Sequence, residues 1–379
     1  LLPRPDLAAA LGPVALPAMT IPGDRARVTA TIANAGDARA AGTAVVRLYA
    51  SADGILDAAD TPLGASAPVR LNLLPGRARK LAVWAVVPDT LPVGAAWYVL
   101  AQVEPVAGID DLLAANNVTA DATARTTQWR FGSLDGRRGA ARLNLPDTAG
   151  TPVAYSLAGG GWGEIVALSD GRQTVALHAT TAASVLTVAT TGGRRARLAG
   201  IEAAGPVAKV VARTADVAGD VTLNGASLLD LGDVTGGTIT LGATPNAAAT
   251  VRLGNVTDTT LTSGADLKAL VARSWRDTGG AAERVAAPSL GKLVVDGGAA
   301  GHFGAVLDLG AGHLGAAVVA GDVTGRWTAG SAGSIAIRGS LLGGSIELSS
   351  AAVGRGTALG KLVVAGDVTG AAVRTRGSI

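Results

Sequence analysis

The stretch K-L-V-V-A-G-D-V-T-G (Lys361 to Gly370) nearly copies A-V-V-A-G-D-V-T-G (Ala317 to Gly325), and L-L-D-L-G-D-V-T-G (Leu228 to Gly236) shares its ending. Each joins a short apolar, valine-rich or leucine-rich run to a Gly-Asp corner, which reads as a strand followed by a tight turn. Outward from these three, the unit returns at K-V-V-A-R (Lys209 to Arg213), V-R-L-G-N-V-T (Val251 to Thr257), A-L-V-A-R-S (Ala269 to Ser274), K-L-V-V-D-G (Lys292 to Gly297) and I-A-I-R-G-S-L-L-G (Ile335 to Gly343). With turns at residues 213, 232, 254, 273, 297, 321, 339 and 366, the steps are 19, 22, 19, 24, 24, 18 and 27, about 22 on average. A period this short, without helices, predicts a parallel β-helix over residues 205–379. Leu293, Val295, Val318, Leu362 and Val363 are expected inside it, with Gly-Asp at its corners.

Residues 126–204 read as β-hairpins, at Asp147 to Leu157 and Ala182 to Val188, and are expected to cap the open end of the solenoid. Residues 1–125 follow a third pattern. Val28, Ala30 and Ile32 alternate with polar neighbours before Asn34-Ala35-Gly36-Asp37 stops the run, and similar strands follow at 45–50, 80–87 and 97–103. The spacing suits an immunoglobulin-like β-sandwich, so the fold class is all-β: a sandwich followed by a parallel β-helix.

The first 125 residues resemble the bacterial cell-adhesion-related domain, CARDB. The resemblance rests on Pro5-Asp6-Leu7, V-x-A-x-I-A-N-A-G (Val28 to Gly36) and V-R-L-Y-A-S-A-D-G-I-L-D-A-A-D-T-P-L-G (Val46 to Gly64). It continues through Pro88, Gly94, the aromatic strand Trp97 to Glu104 and D-D-L-L-A-A-N-N (Asp110 to Asn117), departing at Glu104, where the family usually has Asp. It implies an immunoglobulin-like sandwich in a secreted or cell-surface bacterial protein, with an adhesive or spacer role. Residues 127–379 resemble β-helical segments of large secreted bacterial proteins through G-T-P-V-A-Y-S-L-A-G-G-G (Gly150 to Gly161), T-A-A-S-V-L-T-V (Thr181 to Val188) and A-P-S-L-G-K-L-V-V-D-G (Ala287 to Gly297) after Trp275.

Composition narrows the chemistry. The 379 residues include no Cys, so disulfides, thiolate nucleophiles and Cys-ligated metals are excluded. No apolar run approaches the ~20 residues of a membrane helix. The net charge of +3 is scattered and the aromatics are few, which argues against nucleic acid as a partner. The start, Leu1-Leu2-Pro3-Arg4, has no signal-peptide grammar, and the end at Arg376-Gly377-Ser378-Ile379 falls in mid-repeat, so the chain reads as an excised segment.

The candidate metal site is Asp53, Asp57 and Asp60, three carboxylates around Gly54 that could offer Ca²⁺ its hard oxygen ligands, although the EF-hand spacing is absent. No other cofactor is expected. His178, His302 and His313 are too separated for a metal or triad motif, and no G-x-S-x-G elbow occurs, so no catalytic residue is assigned. Two carboxylates about 5 to 9.5 Å apart would make a glycosidase, and Asp220, Asp233, Asp322 and Asp367 recur at the turns. Their repetition reads instead as corner chemistry. Arg194-Arg195-Arg197 and Arg137-Arg138 could meet anionic glycans. The expectation is a non-catalytic adhesive or structural module whose partners are surface glycans or surface proteins. The alternative is a carbohydrate-binding or carbohydrate-processing β-helix, lyase-like or hydrolase-like. Nothing in the residues specifies an oligomeric state.

Overall fold

Val28, Ala30 and Ile32 are fully buried while Arg27, Thr29 and Thr31 alternate outward, the pleat of a half-covered strand. The computed structural model describes residues 2–243, 248–279, 282–349 and 357–376; Gly377-Ser378-Ile379 of the expected mid-repeat end lies outside them. The chain is all-β and divides into two compact units, Leu1–Trp129 and Arg130–Ile379. Among the described residues the only helical turns are short 3₁₀ segments at Ala114–Asn117 and Gly298–Ala300, and no helix is long and apolar enough to cross a membrane.

The first unit runs through β1 (Leu7–Leu11), β2 (Met19–Thr20), β3 (Arg25–Asn34), β4 (Ala40–Ser51), β5 (Thr61–Ala65), β6 (Val69–Leu73), β7 (Ala78–Val86), β8 (Ala96–Ala107), β9 (Val118–Ala120) and β10 (Arg125–Thr127). Strands β1, β3 and β7 form one antiparallel sheet; β2, β10, β8, β4 and β5 form the other, with β6 beside β4 and β9 beside β8. The core between them includes Val28, Ile32, Val46, Leu48, Val83, Val99 and Val103. Asn34 of the I-A-N-A-G motif is buried because it staples three segments. Its Nδ2 donates to Ala38 O at 2.8 Å and Leu73 O at 3.0 Å, and its Oδ1 accepts from Asp6 N at 3.2 Å. Strand β10 carries the sandwich to Thr127, where Oγ1 accepts the Trp97 indole N–H at 3.0 Å.

The second unit begins with β11 (Arg130–Ser133), β12 (Ala140–Pro146), β13 (Pro152–Ala158), β14 (Trp162–Ala167), β15 (Gln173–His178) and β16 (Val185–Thr190). Their hairpins are antiparallel, and β15 and β16 each gain a parallel partner on the other edge, at Gly200–Ala203 and Lys209–Val211. Parallel pairing therefore starts ahead of residue 205, and the hairpins occupy the strand edges of the first coil.

Each coil then has three faces. On the first, Leu186, Val210, Leu229, Val251, Leu270, Leu293, Ala317, Ile335 and Leu362 stack in register, with steps of 24, 19, 22, 19, 23, 24, 18 and 27 residues. On the second, Val217, Val234, Val256, Trp275, Phe303, Val323, Leu341 and Val368 form a column. The third carries Val175, Ile201, Val221, Ile239, Leu261, Val285, Leu307, Trp327 and Ile346. Trp275, Phe303 and Trp327 fill the interior edge to face, with ring centroids 6.1 and 5.7 Å apart.

Leu293 and Val295 lie inside as expected, but Val318 and Val363 face outward. In a two-residue period, burying Ala317 and Val319 turns Val318 out, and Leu362 over Ile335 turns Val363 out. Four coils place Gly291, Gly315, Gly333 and Gly360 at one rung position, where a Cβ on Gly315 would overlap the Gly291 carbonyl oxygen and one on Gly333 that of Gly315. Gly315→Ala is expected to cost about 1–3 kcal/mol, read as a lower thermal midpoint, whereas Ala316→Ser on the outward side should stay within about 0.5 kcal/mol.

Candidate functional site

The residue just before each inward residue of the second face forms a polar column: Asp216, Asp233, Asn255, Ser274, His302, Asp322, Ser340 and Asp367. Most of these side chains accept a hydrogen bond from the coil stacked on them. Asp216 Oδ1 takes the Asp233 N–H at 2.8 Å and Asp233 Oδ1 the Asn255 N–H at 2.8 Å, while Asn255 Oδ1 takes the Ser274 hydroxyl at 3.1 Å. Farther along, His302 Nδ1 accepts from Asp322 N at 3.1 Å, Asp322 Oδ1 from Ser340 N at 2.7 Å, and Ser340 Oγ from Asp367 N at 3.1 Å. Asp220 works the same way at another corner, accepting from Thr238 N at 2.7 Å, as does Asp258 from Thr278 N at 2.6 Å. The recurring aspartates thus satisfy corner N–H groups. Asp322 and Asp367 are separated by Ser340, so they do not stand as neighbouring carboxylates.

Beside this column lies an open cleft of about 580 Å³ lined by Arg195, Arg213, Arg252, Arg273, Asp233 and Asp296, among others. It exists because Gly232 and Gly254 occupy the rungs between Arg213 and Arg273, joined by Gly254 N to Gly232 O at 2.7 Å and Arg273 N to Gly254 O at 3.0 Å. A Cβ on Gly232 would overlap the Arg195 guanidinium, and one on Gly254 the Asp233 carboxylate. Arg213 grips the buried Asp230 with Nη2 to Oδ2 at 2.9 Å and Nε to Oδ1 at 3.3 Å, and Arg195 grips Asp216. Hydrogen bonds to these carboxylates hold both guanidiniums above their ordinary pKa. Arg252 and Arg273 are exposed and have no ion pair among the described residues, leaving two cations free to face a ligand. Arg195 belongs to the basic run noticed in the sequence. Its convergence with Arg213, Arg252 and Arg273 follows from coil register, which no local motif announces.

Asp53, Asp57 and Asp60 stay in one loop but turn onto their own backbone. Asp53 Oδ1 accepts from Ile55 N at 2.9 Å and Ser51 Oγ at 3.1 Å, Asp57 Oδ1 from Ala59 N at 2.8 Å, and Asp60 Oδ2 from Asp57 N at 3.2 Å. The Ile55 N–H, then the Ser51 hydroxyl, holds the Asp53 carboxyl below its ordinary range. Among the described residues no group of three or more His, Asp or Glu is arranged to hold a metal ion.

The histidines occupy three unrelated settings. His302 sits in the corner column. The Asp322 carboxylate Oδ2 lies 3.4 Å from His302 Nδ1. His313 Nδ1 meets Ser331 Oγ at 2.9 Å across adjacent coils, and among the described residues no carboxylate bonds to His313. His178 stacks on Trp162 with centroids 4.1 Å apart, Arg130 lies 4.3 Å from the same ring, and Glu164 bridges His178 at 3.2 Å and Arg130 at 3.3 Å. This aromatic and ionic cluster ties β11, β14 and β15 together.

No family model matches the chain, and no curated protein is similar to it. Among solved structures it is similar to the CARDB domain of a Pyrococcus furiosus protein in complex with di-metal ions, at 17% identity over 33% of this chain and 89% of that one, TM-score 0.23. The solution structure of that domain matches at 18% identity over 33% and 97%, TM-score 0.23. A β-glucosidase from Listeria innocua in complex with isofagomine matches at 12% identity, covering 32% of this chain and only 16% of the enzyme, TM-score 0.22.

Asp322→Ala leaves the Ser340 N–H without its acceptor and should cost about 1–3 kcal/mol, whereas Asp322→Asn, which keeps an amide oxygen, should lose less; thermal melts compare them. Acid should also weaken the fold. The Thr278 hydroxyl and N–H hold the Asp258 carboxyl below its ordinary range; at Asp308, burial pushes upward but is outweighed by bonds from Gly310, Thr328 and Arg284. Both carboxyls bind a proton more weakly when folded. Their stabilisation is therefore complete above about pH 4 and drains as the pH falls through the lowered folded values, visible as a falling thermal midpoint.

Proposed function

We propose that the chain is a non-catalytic module of a secreted or cell-surface bacterial protein, a CARDB-like adhesive domain followed by a β-solenoid spacer. The observation that carries this reading is the corner column. Asp216, Asp233 and Asp322, the repeated groups with the chemistry for acid–base work, accept hydrogen bonds from the backbone of the next coil. Trp275, Phe303 and Trp327, the aromatics through which a sugar could be gripped on the coils, are interior. Support also comes from the family resemblance of the first 125 residues. Incubation of the full chain with polygalacturonate, alginate and xylan should release no reducing ends or unsaturated products; sustained turnover of any of them overturns the reading.

A second reading, carbohydrate binding on the solenoid, is favoured by the free Arg252 and Arg273 guanidiniums in the glycine-floored cleft. It predicts that Arg252→Gln with Arg273→Gln abolishes retention on an acidic glycan array.

A further inference from the structure

The outer face of the β1–β3–β7 sheet carries an exposed tryptophan. Trp84 is 55% exposed on a regular strand, where alternation sends Val83 and Ala85 into the core. Cross-strand register places Arg27 directly opposite Trp84, Arg25 opposite Val86, Thr29 opposite Ala82 and Thr31 opposite Lys80. The Arg25 guanidinium carbon lies 5.7 Å from the Trp84 ring centroid, so the indole is flanked by two cations, with Lys80 farther down the same strand. Among the described residues Arg25, Arg27 and Lys80 have no carboxylate partner, and the outward positions of β1, β3 and β7 hold no acid. Asp24, next to Arg25, gives its Oδ2 to the Ile21 N–H at 2.8 Å. Ala8, Ala10 and Ala82 keep the rest of the face low. Gly64 holds the platform at its edge, since a Cβ there would overlap the Trp84 carbonyl oxygen.

We infer that this face binds a polyuronate, a polysaccharide whose sugars each carry a carboxylate. A pyranose ring offers both features that the face complements. Its C–H face is slightly positive and meets the negative face of the indole, while its carboxylate lies within reach of Arg25 or Arg27, which can grip it through two N–H groups. The strand pair runs about 20 Å from Lys80 to Val86 at ~3.4 Å per residue, so it meets more than one sugar of an extended chain. An acidic peptide has carboxylates but no flat apolar ring face. Single-stranded nucleic acid uses successive aromatics, and here Ala82 and Val86 flank a lone tryptophan. A membrane surface would favour several protruding apolar side chains around the indole, where this sheet offers Val86 alone beside Ala and Thr.

The inference rests on the adhesive reading, yet the two fail separately, because turnover of the polymer would sink the non-catalytic reading and leave binding at Trp84 standing. The test is affinity electrophoresis of the full chain in gels containing polygalacturonate, with tryptophan fluorescence titration alongside. Retardation is expected, weakened by salt, absent with dextran, and lowered about tenfold in affinity by Trp84→Ala and by Arg27→Gln. Both side chains are exposed, so the thermal midpoint should be unchanged, and the Arg27 variant decides the matter if the Trp84 variant is unstable. Unretarded wild type, equal binding by a folded Trp84→Ala variant, equal binding of dextran, or a Trp84-dependent preference for single-stranded DNA or phosphatidylglycerol vesicles would each overturn the inference.

Discussion

A coil of the second unit can close only if its corner N–H groups find acceptors, and most of those in the polar column come from the coil beneath. Asp216 serves Asp233, Asp233 serves Asn255, and Asp322 serves Ser340, so each coil is polar glue for the next. A buried or half-buried N–H left unpaired costs as much as a lost hydrogen bond, which is why a short acceptor recurs one residue before the inward position. Asp, Ser and one His all serve, because the requirement is an acceptor within reach.

That constraint governs the rest of the unit. Locking the corners fixes the register, and the register decides which residues stack. It sets Gly291, Gly315, Gly333 and Gly360 over one another where the backbones approach too closely for a side chain. It also brings Trp275, Phe303 and Trp327 together in the interior. A solenoid filled this way has walls in place of a deep pocket. The arginine cleft is an exception made by omission, since two glycines remove side chains from consecutive rungs.

The first unit presents its chemistry differently. Its buried polar groups, Asn34 and the Thr20, Thr127 and Trp97 trio, are consumed in tying loops and short strands to the core. What it leaves for partners is the outside of the β1–β3–β7 sheet, with Trp84 on its edge strand. The two units thus offer surfaces of one general kind, cations with room for an extended ligand, built by alternation in one case and by coil register in the other.

Local pattern was enough to identify the elements. Val28, Ala30 and Ile32 announced a half-buried strand, and the repeated Gly-Asp corners announced the coils; the turns read at 213 through 366 fall three or four residues past the inward residue of every coil from Val210 to Leu362. Alternation in sequence does not say which of two adjacent valines goes inside; the stacking of Ala317 on Leu293 and of Leu362 on Ile335 turns Val318 and Val363 outward. The acidic loop carried the right residue types for a cation, but only folding showed Asp53, Asp57 and Asp60 turned onto separate N–H groups. The gathering of Arg195 with Arg213, Arg252 and Arg273, and of Trp84 with Arg25 and Arg27, depends on pairing between segments far apart in the chain. Short-range sequence therefore determined strands, corners and the composition of the core, because those follow from a two-residue period and turn chemistry; the surfaces a partner could meet were decided by tertiary register, because only stacking and cross-strand pairing bring their residues to one place.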